Sequence, residues 1–448
     1  MTILGNISGK NSGVEGRTGS LGIVLSGTTT LAALDVGSTK ISCVIAEYSP
    51  GKRRTSGDVR SALKVVGFGQ TASRGVKSGT IVDIDEAEKA IRLAVDAAER
   101  MAQRRIRNVY VGVSGGRPQS MVCAGGVNTQ TGVVSPRDGD NAVSDAISRI
   151  NVGRRHVLHL MPVGFSLDGA VGPNIPLGLH GSELGAEVAV VTVDVAAMRN
   201  LEMVVERSHL QVSGFALTPY AAARGALVKD ELSLGTLLVD MGGATTSFSL
   251  FKDGQLASAG LLPIGGHHVT QDIAQGLTTT IAHAERLKTM FGTVLPHGHD
   301  EREMLAVPLL GERGVDTIQK VPKQVLTSII RPRLEETFAL LGQQLAEEGR
   351  FAKMATRIVL TGGASQMQGV ADLATQMLGR TVRLGAPSAL SGLPDAGKGP
   401  GFSVAAGLLA CAAEPDRTYA MPQQARDAID RSQLSYARRV GRWLVESL

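Results

Sequence analysis

The sequence predicts an α/β protein of two related lobes, with a small α+β unit inserted in the first. Three observations carry that prediction. The segments LAALDVGSTKISCVIAEY (31–48) and GTLLVDMGGATTSFSLFKDG (235–254) each read as strand, glycine turn and strand. They align without gaps, matching Asp35 to Asp240, Gly37 to Gly242 and Ser42 to Ser247, and an internal duplication explains this most economically. Composition agrees: 43% of residues are hydrophobic but only 3% aromatic, which suits α/β layers better than an aromatic-rich sandwich. Many of the 55 glycines follow apolar runs, where a tight turn or a closely approaching ligand needs a missing Cβ.

The 448 residues are too many for one ordinary domain and enough for two sizeable cores. A net charge of +5 is modest, and no aromatic stacking motif accompanies it, so the excess reads as local and no nucleic-acid partner is expected. Cys43, Cys123 and Cys411 are odd in number and far apart, which suggests neither a disulfide framework nor a zinc cluster and fits a reducing compartment. No uninterrupted apolar run reaches the length of a membrane span, and no signal-peptide pattern opens the chain. The expectation is a protein that neither crosses a membrane nor is exported.

Residues 1–28 scatter glycines among Ser, Asn and Thr and read as a flexible arm. After the first hairpin, apolar positions from Ile84 to Met101 recur at helical period, with Asp83 and Asp85 placed to cap, so a helix is expected over 82–107. VYVGV (109–113) reads as a strand, a second amphipathic helix lies near 137–151, and HVLHLMPVGFSL follows; together 83–164 read as the inserted α+β unit. Next come the strand EVAVVTVDV, a helix near 198–208, the strand QVSGFAL, the helix AAARGALV and the second hairpin. Two further glycine turns lead into apolar helices, RIVLTGGASQMQGVADLATQML and GFSVAAGLLACA. Beyond Ala413 a polar, Pro- and Gln-containing stretch reads as a linker to a final helix at 431–448.

An acidic residue ending an apolar strand, followed by Gly and hydroxyl residues, can hold Mg²⁺ through water and offer backbone N–H groups to phosphates. DVGSTK and DMGGATT both have this form, and two such turns facing each other would clamp one nucleotide; LTGGAS adds a turn that a flat ring can approach. No Walker A sequence occurs, and no G-x-G-x-x-G follows the first strand. Residues 112–116 match G-x-S-x-G, but Arg117-Pro118 is a poor helix start for a hydrolase elbow. The pairs His156/His159, His267/His268 and His297/His299 lack carboxylate or cysteine partners at metal-site spacing.

The ordered set DVGST, DMGGATT and TGGASQMQG resembles the superfamily of actin, DnaK-type chaperones and sugar kinases, and within it the FtsA family of bacterial cell-division proteins. The resemblance implies an actin-like, ribonuclease H-like duplicated fold. Its first lobe (1A) would comprise 29–82, 165–223 and 383–412, with 83–164 as the inserted subdomain (1C). The second lobe (2A) would comprise 224–265 and 331–382, with 266–330 as a small subdomain (2B) and 413–430 as linker. It implies ATP and Mg²⁺ as ligands. Gly37, Ser38, Thr39 and Lys40 would meet phosphates, Asp35 and Asp240 the magnesium shell, Glu285 the ribose, Lys288 the adenine region, and Gly362 and Gly363 the nucleoside. Gly242, Gly243, Thr245 and Ser365 complete the expected nucleotide contacts, while Ala244 stands where the family often has a third glycine. The connecting segment TPYAAARGAL offers Tyr220 but no Gln, Glu or Asp to orient water, so nucleotide binding with weak or no turnover is expected. A small-molecule kinase or a pilus-assembly adaptor of the same fold is the alternative.

On a helical wheel of about 100° per residue, Leu434, Tyr436, Ala437, Val440, Trp443, Leu444, Val445 and Leu448 share one arc of the last helix. Arg431, Arg438, Arg439 and Arg442 border it, and Trp443 is the sequence's single tryptophan. Such a helix suits the interface of an anionic membrane. The resemblance implies a membrane-targeting role for it at the cytoplasmic face of the inner membrane, at the division site. It further implies self-association, recruitment of later division proteins and binding of the FtsZ C-terminal tail near 266–335, with Arg333 at a matching position. The residues alone equally allow Arg333 to be an exposed arginine at a helix start.

Overall fold

The computed structural model describes residues 28–415 except 52–56, 296–301, 312–317, 350–351, 354 and 389. The expected arm up to residue 27, the linker beyond 415 and the terminal helix at 431–448 lie outside the described residues.

β1 (Thr29–Val36) and β2 (Lys40–Tyr48) form the first hairpin, with Asp35 opposite Ser42. β3 (Leu63–Ala72) pairs antiparallel with β2, and the short pair β4 (Val76–Lys77) and β5 (Thr80–Ile81) leads to helix α1 (Ile84–Ala102). Asp83 caps α1, its carboxylate accepting the Glu86 N–H at 3.1 Å. Ala87, Ile91, Ala94 and Ala98 bury one face of α1, and Gly69 of β3 lets it settle closely, since a Cβ there would lie 2.0 Å from the Ala94 carbonyl oxygen. β6 (Asn108–Val113) then runs parallel to β1.

The next segment has its own sheet. β7 (Gln119–Asn128), helix α2 (Pro136–Ser148), β8 (Arg155–Leu167), β9 (Ala170–Gly172) and β10 (Glu183–Asp194) give four strands in the order β7-β10-β8-β9. Ser135 and Asp138 form a capping box at the start of α2. This corrects the expected insert of 83–164: α1 packs on β2 and β3 and β6 pairs with β1, so both belong to the first lobe, while β10 closes the inserted sheet. The insert also touches the second lobe. Ser120 Oγ donates to the Ala259 carbonyl at 2.6 Å and accepts its N–H at 2.8 Å.

Helix α3 (Val195–Arg207) and β11 (Gln211–Leu217) complete the first sheet, ordered β11-β6-β1-β2-β3. Helices α4 (Thr218–Ala226) and α5 (Lys229–Leu234) lead to β12 (Thr236–Met241) and β13 (Thr246–Lys252), the second hairpin, with Asp240 opposite Ser247. β14 (Gln255–Leu262), α6 (Gly266–Gly276), α7 (Ile281–Phe291), β15 (Met304–Pro308), β16 (Ile318–Pro322) and α8 (Lys323–Glu347) follow. The described chain closes with β17 (Arg357–Thr361), α9 (Val370–Leu378), β18 (Thr381–Leu384) and α10 (Ser403–Ala413).

The second sheet, β14-β13-β12-β17-β18, repeats the first strand for strand. In each, the hairpin's first strand has its antiparallel partner on one side and a parallel strand on the other. The duplication read from residue matching is thus a duplication of topology. Between the lobes, α4 and α10 cross with their backbones in contact. A Cβ on Gly407 would fall 1.6 Å from the Ala221 carbonyl oxygen, and one on Gly225 2.1 Å from that of Ser403.

Candidate functional site

The turns that end β1 and β12 face each other across a cleft of about 610 Å³. Both are closed by the same bond: the Gly37 N–H donates to the Lys40 carbonyl at 3.1 Å, and the Gly242 N–H to that of Thr245 at 2.8 Å. Because β6, β11 and β17 run parallel to these strands, the cleft lies at the carboxyl ends of both sheets, where ligands of open α/β folds bind.

Of the residues predicted from sequence, Asp35, Gly37, Ser38, Thr39, Lys40, Asp240, Gly242, Gly243, Thr245, Glu285, Lys288, Gly362 and Gly363 line this cleft. Ser365 does not. It is fully buried, and its hydroxyl donates to the Gly362 carbonyl at 2.8 Å, so it braces the third turn from behind instead of meeting a ligand. That turn needs its glycine: Gly362 has φ +88°, and a Cβ would lie 2.4 Å from Asp240 Oδ1. Gly243 packs against Thr39 across the lobes so closely that a Cβ would meet Thr39 Oγ1 at 1.7 Å.

Ser114, Thr218, His267, Met290, Gln366 and Gly401, which lie outside the residues expected from the three turns, also line the cleft. Ser114 is the serine of the G-x-S-x-G pattern; its Oγ donates to the Val36 carbonyl at 2.9 Å, tying β6 to the first turn. Its place at the carboxyl end of a strand is the one signal that would have found it. Tyr220 is buried, stacked on Phe251 with ring centroids 6.1 Å apart, so the connecting segment presents Thr218 to the cleft in its place. His159 is a core residue whose Nε2 accepts the Leu217 N–H, His268 Nδ1 accepts the Gly265 N–H, and His297 and His299 lie outside the described residues.

Charge is unbalanced where the two Asp-x-Gly turns meet. Burial pushes Asp35 up to about 6 against the pull of Lys40. Burial and the neighbouring charge of Asp35 push Asp240 up to about 7, again opposed by Lys40. Burial holds Lys40 below its ordinary value, opposed by both carboxylates, and its Nζ sits 3.2 Å over the Phe402 ring. One buried and one half-buried carboxylate facing one ammonium are short of positive charge, a donor set that fits a divalent cation completed by water and phosphate oxygens. Among the described residues no group of three or more His, Cys, Asp and Glu side chains forms an all-protein metal cage.

At the other end of the cleft, Glu285 Oε2 accepts from Thr270 Oγ1 at 2.6 Å and Lys288 Nζ at 2.7 Å. Burial raises the Glu285 carboxyl, but these bonds outweigh it and leave the group below its ordinary value. Lys288 also donates to the Gly266 carbonyl at 2.9 Å, so α7 is pinned to the start of α6. Arg333 lies away from the cleft, in the middle of α8 and not at a helix start. Its guanidinium forks onto Asp272 of α6 at 2.6 and 3.0 Å and also bonds Glu336.

Two lobes with the same sheet order, each aiming an Asp-x-Gly turn into a shared cleft, define an actin-like fold. Solved structures agree: a PilM–PilN type IV pilus biogenesis complex matches with TM-score 0.58 at 16% identity, over 86% of this chain and 99% of that one. MreB5 of Spiroplasma citri bound to ADP matches with TM-score 0.50 at 13% identity, over 85% and 95%. The chain belongs to the FtsA family of cell division proteins. The family model for cell division protein FtsA matches residues 237–407, and that for the SHS2 domain inserted in FtsA matches 115–192, in keeping with the sheet of 119–194. Cell division protein FtsA of Rhizobium meliloti is 43% identical over 85% of this chain and 86% of its own length. Those of Agrobacterium fabrum and Escherichia coli K12 are 40% identical over 93% and 94%, and 31% identical over 85% and 89%.

Proposed function

We propose that this cell division protein binds ATP with Mg²⁺ in the interlobe cleft and tethers FtsZ filaments to the cytoplasmic face of the inner membrane at the division site. The observation that carries the reading is the pair of facing turns that set Asp35 and Asp240 beside a single Lys40 in the cleft. Asp35 and Asp240 would share the magnesium ion, the backbone N–H groups of the two turns would meet phosphate oxygens, and Glu285 and Lys288 would border the nucleoside. Mg²⁺ would screen the phosphates and relieve the two carboxylates. Hydrolysis is slow or absent in this reading, because both carboxylates at the phosphate end are committed to the metal and Tyr220 is packed in the core.

The amphipathic helix at 431–448 supplies membrane attachment, self-association of ATP-bound copies multiplies it, and the assembled layer recruits later division proteins. The FtsZ tail would meet the α6–α8 region, where Arg333 acts on its neighbours through Asp272. Co-sedimentation with anionic vesicles, varying ATP, FtsZ and residues 431–448 one at a time, tests the proposal. FtsZ should reach the pellet only with vesicles and the intact terminal helix; FtsZ pelleting equally after deletion of 431–448 sinks it.

A further inference from the structure

We propose that the end of the first lobe opposite the cleft, carrying Arg100, Arg104, Arg105 and Arg107, is a second contact with anionic lipid head groups, acting beside the terminal helix. The inference rests on the membrane-tethering reading above.

β1 carries Asp35 into the cleft at its carboxyl end, and β6 runs parallel to β1 and β11 parallel to β6, so the residues just before these strands gather at the opposite end. The segment RMAQRRIR (100–107) lies there, with four arginines and no carboxylate. Arg100 and Met101 belong to the last turn of α1, Gln103 ends that helix at φ 52°, and the other arginines follow before β6. All four arginines are exposed. The Arg105 side chain retains 86% of its accessible surface and Met101 50%.

The fan is held in place from below. Arg104 bonds Glu47 at 3.0 Å and Thr30 Oγ1 at 3.1 Å, and Arg105 bonds Glu99 at 2.9 Å. Arg100 and Arg107 carry no ion pair among the described residues. A cation at the carboxyl end of a helix favours the dipole, which accounts for Arg100. That effect fades within the last turn, so it does not account for Arg105 and Arg107 beyond it. Arginines around an exposed thioether repeat, on the folded body, the cationic and apolar mixture that suits a membrane interface.

Position says which surface the arginines meet. Glu414, next to the last described residue Pro415, pairs with Arg224, and the Arg224 charge acts on Asp58 in the connection from β2 to β3. That connection begins where Tyr48 faces Thr29, and Thr30, which Arg104 touches, faces Glu47. The chain therefore leaves α10 at the arginine-bearing end. Residues 416–430 extend to about 50 Å at most, so a bilayer holding the terminal helix lies within reach of this end. One interfacial helix binds weakly and reversibly, and stable attachment takes a second contribution; each arginine near an anionic surface adds about fivefold in affinity. Glu47, Asp96 and Glu99 around the patch temper it, so it supplements the helix without replacing it.

The test uses the full-length chain with Arg100→Glu/Arg107→Glu, which spares the pairs of Arg104 and Arg105. Partition onto phosphatidylglycerol-containing vesicles should fall at least tenfold, with partition onto purely zwitterionic vesicles and ATP affinity unchanged; the thermal midpoint should drop only slightly, by what a reversed charge at the end of α1 costs. The milder Arg100→Gln/Arg107→Gln should give a smaller fall of the same kind. No fall on anionic vesicles, or an equal fall on both kinds, overturns the inference. Deleting 431–448 separates the two claims: binding unaffected by the deletion removes the tethering reading, whereas binding that needs the helix but ignores the arginines removes only this inference.

Discussion

In the first lobe Asp35 lies across from Ser42, and in the second Asp240 lies across from Ser247, yet the two turns carry different chemistry. The first offers Ser38, Thr39 and a half-buried Lys40; the second offers Gly243, Ala244 and Thr245 and no cation. Lys40 acts on both carboxylates, so the second lobe relies on a cation supplied by the first. Duplication kept the scaffold, and divergence divided the roles between the copies: one turn brings the charge, the other the space to receive it. Gly243 provides that space directly beneath Thr39.

Breaking the charge side should have the largest effect. Lys40→Ala leaves two carboxylates together with no cation beside them and should cost roughly 2 kcal/mol of stability at pH 8. The cost should shrink at pH 5, where both are protonated; urea unfolding at the two pH values measures it, and equal losses would remove Lys40 from its proposed place. Breaking the space side comes next. Gly243→Ala should cost roughly 1–3 kcal/mol and weaken ATP binding about tenfold or more, and adding Thr39→Gly should restore most of it. Isothermal titration of the single and double variants reads this out, and additive losses would show that the two residues do not meet.

A pH series sharpens the comparison. Asp35 and Asp240 titrate above their unfolded value of 3.8, at about 6 and about 7. Their protons therefore favour the fold fully below pH 3.8, and that contribution is lost as pH rises through about 6 and then about 7. Without nucleotide or metal, the thermal midpoint should drop between pH 5 and pH 8, and Mg²⁺ with ATP should flatten the drop. The smallest effect concerns two hydroxyls. Ser42 Oγ is buried with no partner among the described residues, whereas Ser249 Oγ donates to the Pro219 carbonyl at 2.8 Å. Ser42→Ala should be neutral or stabilising by up to about 1 kcal/mol, and Ser249→Ala destabilising by about 1 kcal/mol. Denaturant midpoints with unchanged slopes distinguish them.

Much of the site was legible because its chemistry is local. An acidic residue, a glycine and hydroxyls in a hairpin turn announce themselves within six residues, and the second copy removed the ambiguity of the first. Contacts made by distant chain were not legible. Ser114 and Thr218 enter the cleft only because β6 and β11 join the first sheet in parallel, and nothing in VYVGV or QVSGFAL states that pairing. The same gap misplaced the start of the insert: α1 has an apolar face that fits either sheet, and only the close approach of Gly67 and Gly69 assigns it to β3. Ser365 shares the polar look of its neighbours but turns inward to the Gly362 carbonyl. Arg333 reads as free until Asp272, 61 residues away, is folded against it.

The crossing of α4 over α10 has a mechanical consequence. Helices normally mesh through side chains, and turning one on the other lifts knobs out of holes. At Gly225 and Gly407 there are no knobs, only peptide surface against peptide surface. The joint between the lobes is therefore a seam of bare peptide, with no slack for even one added methyl group.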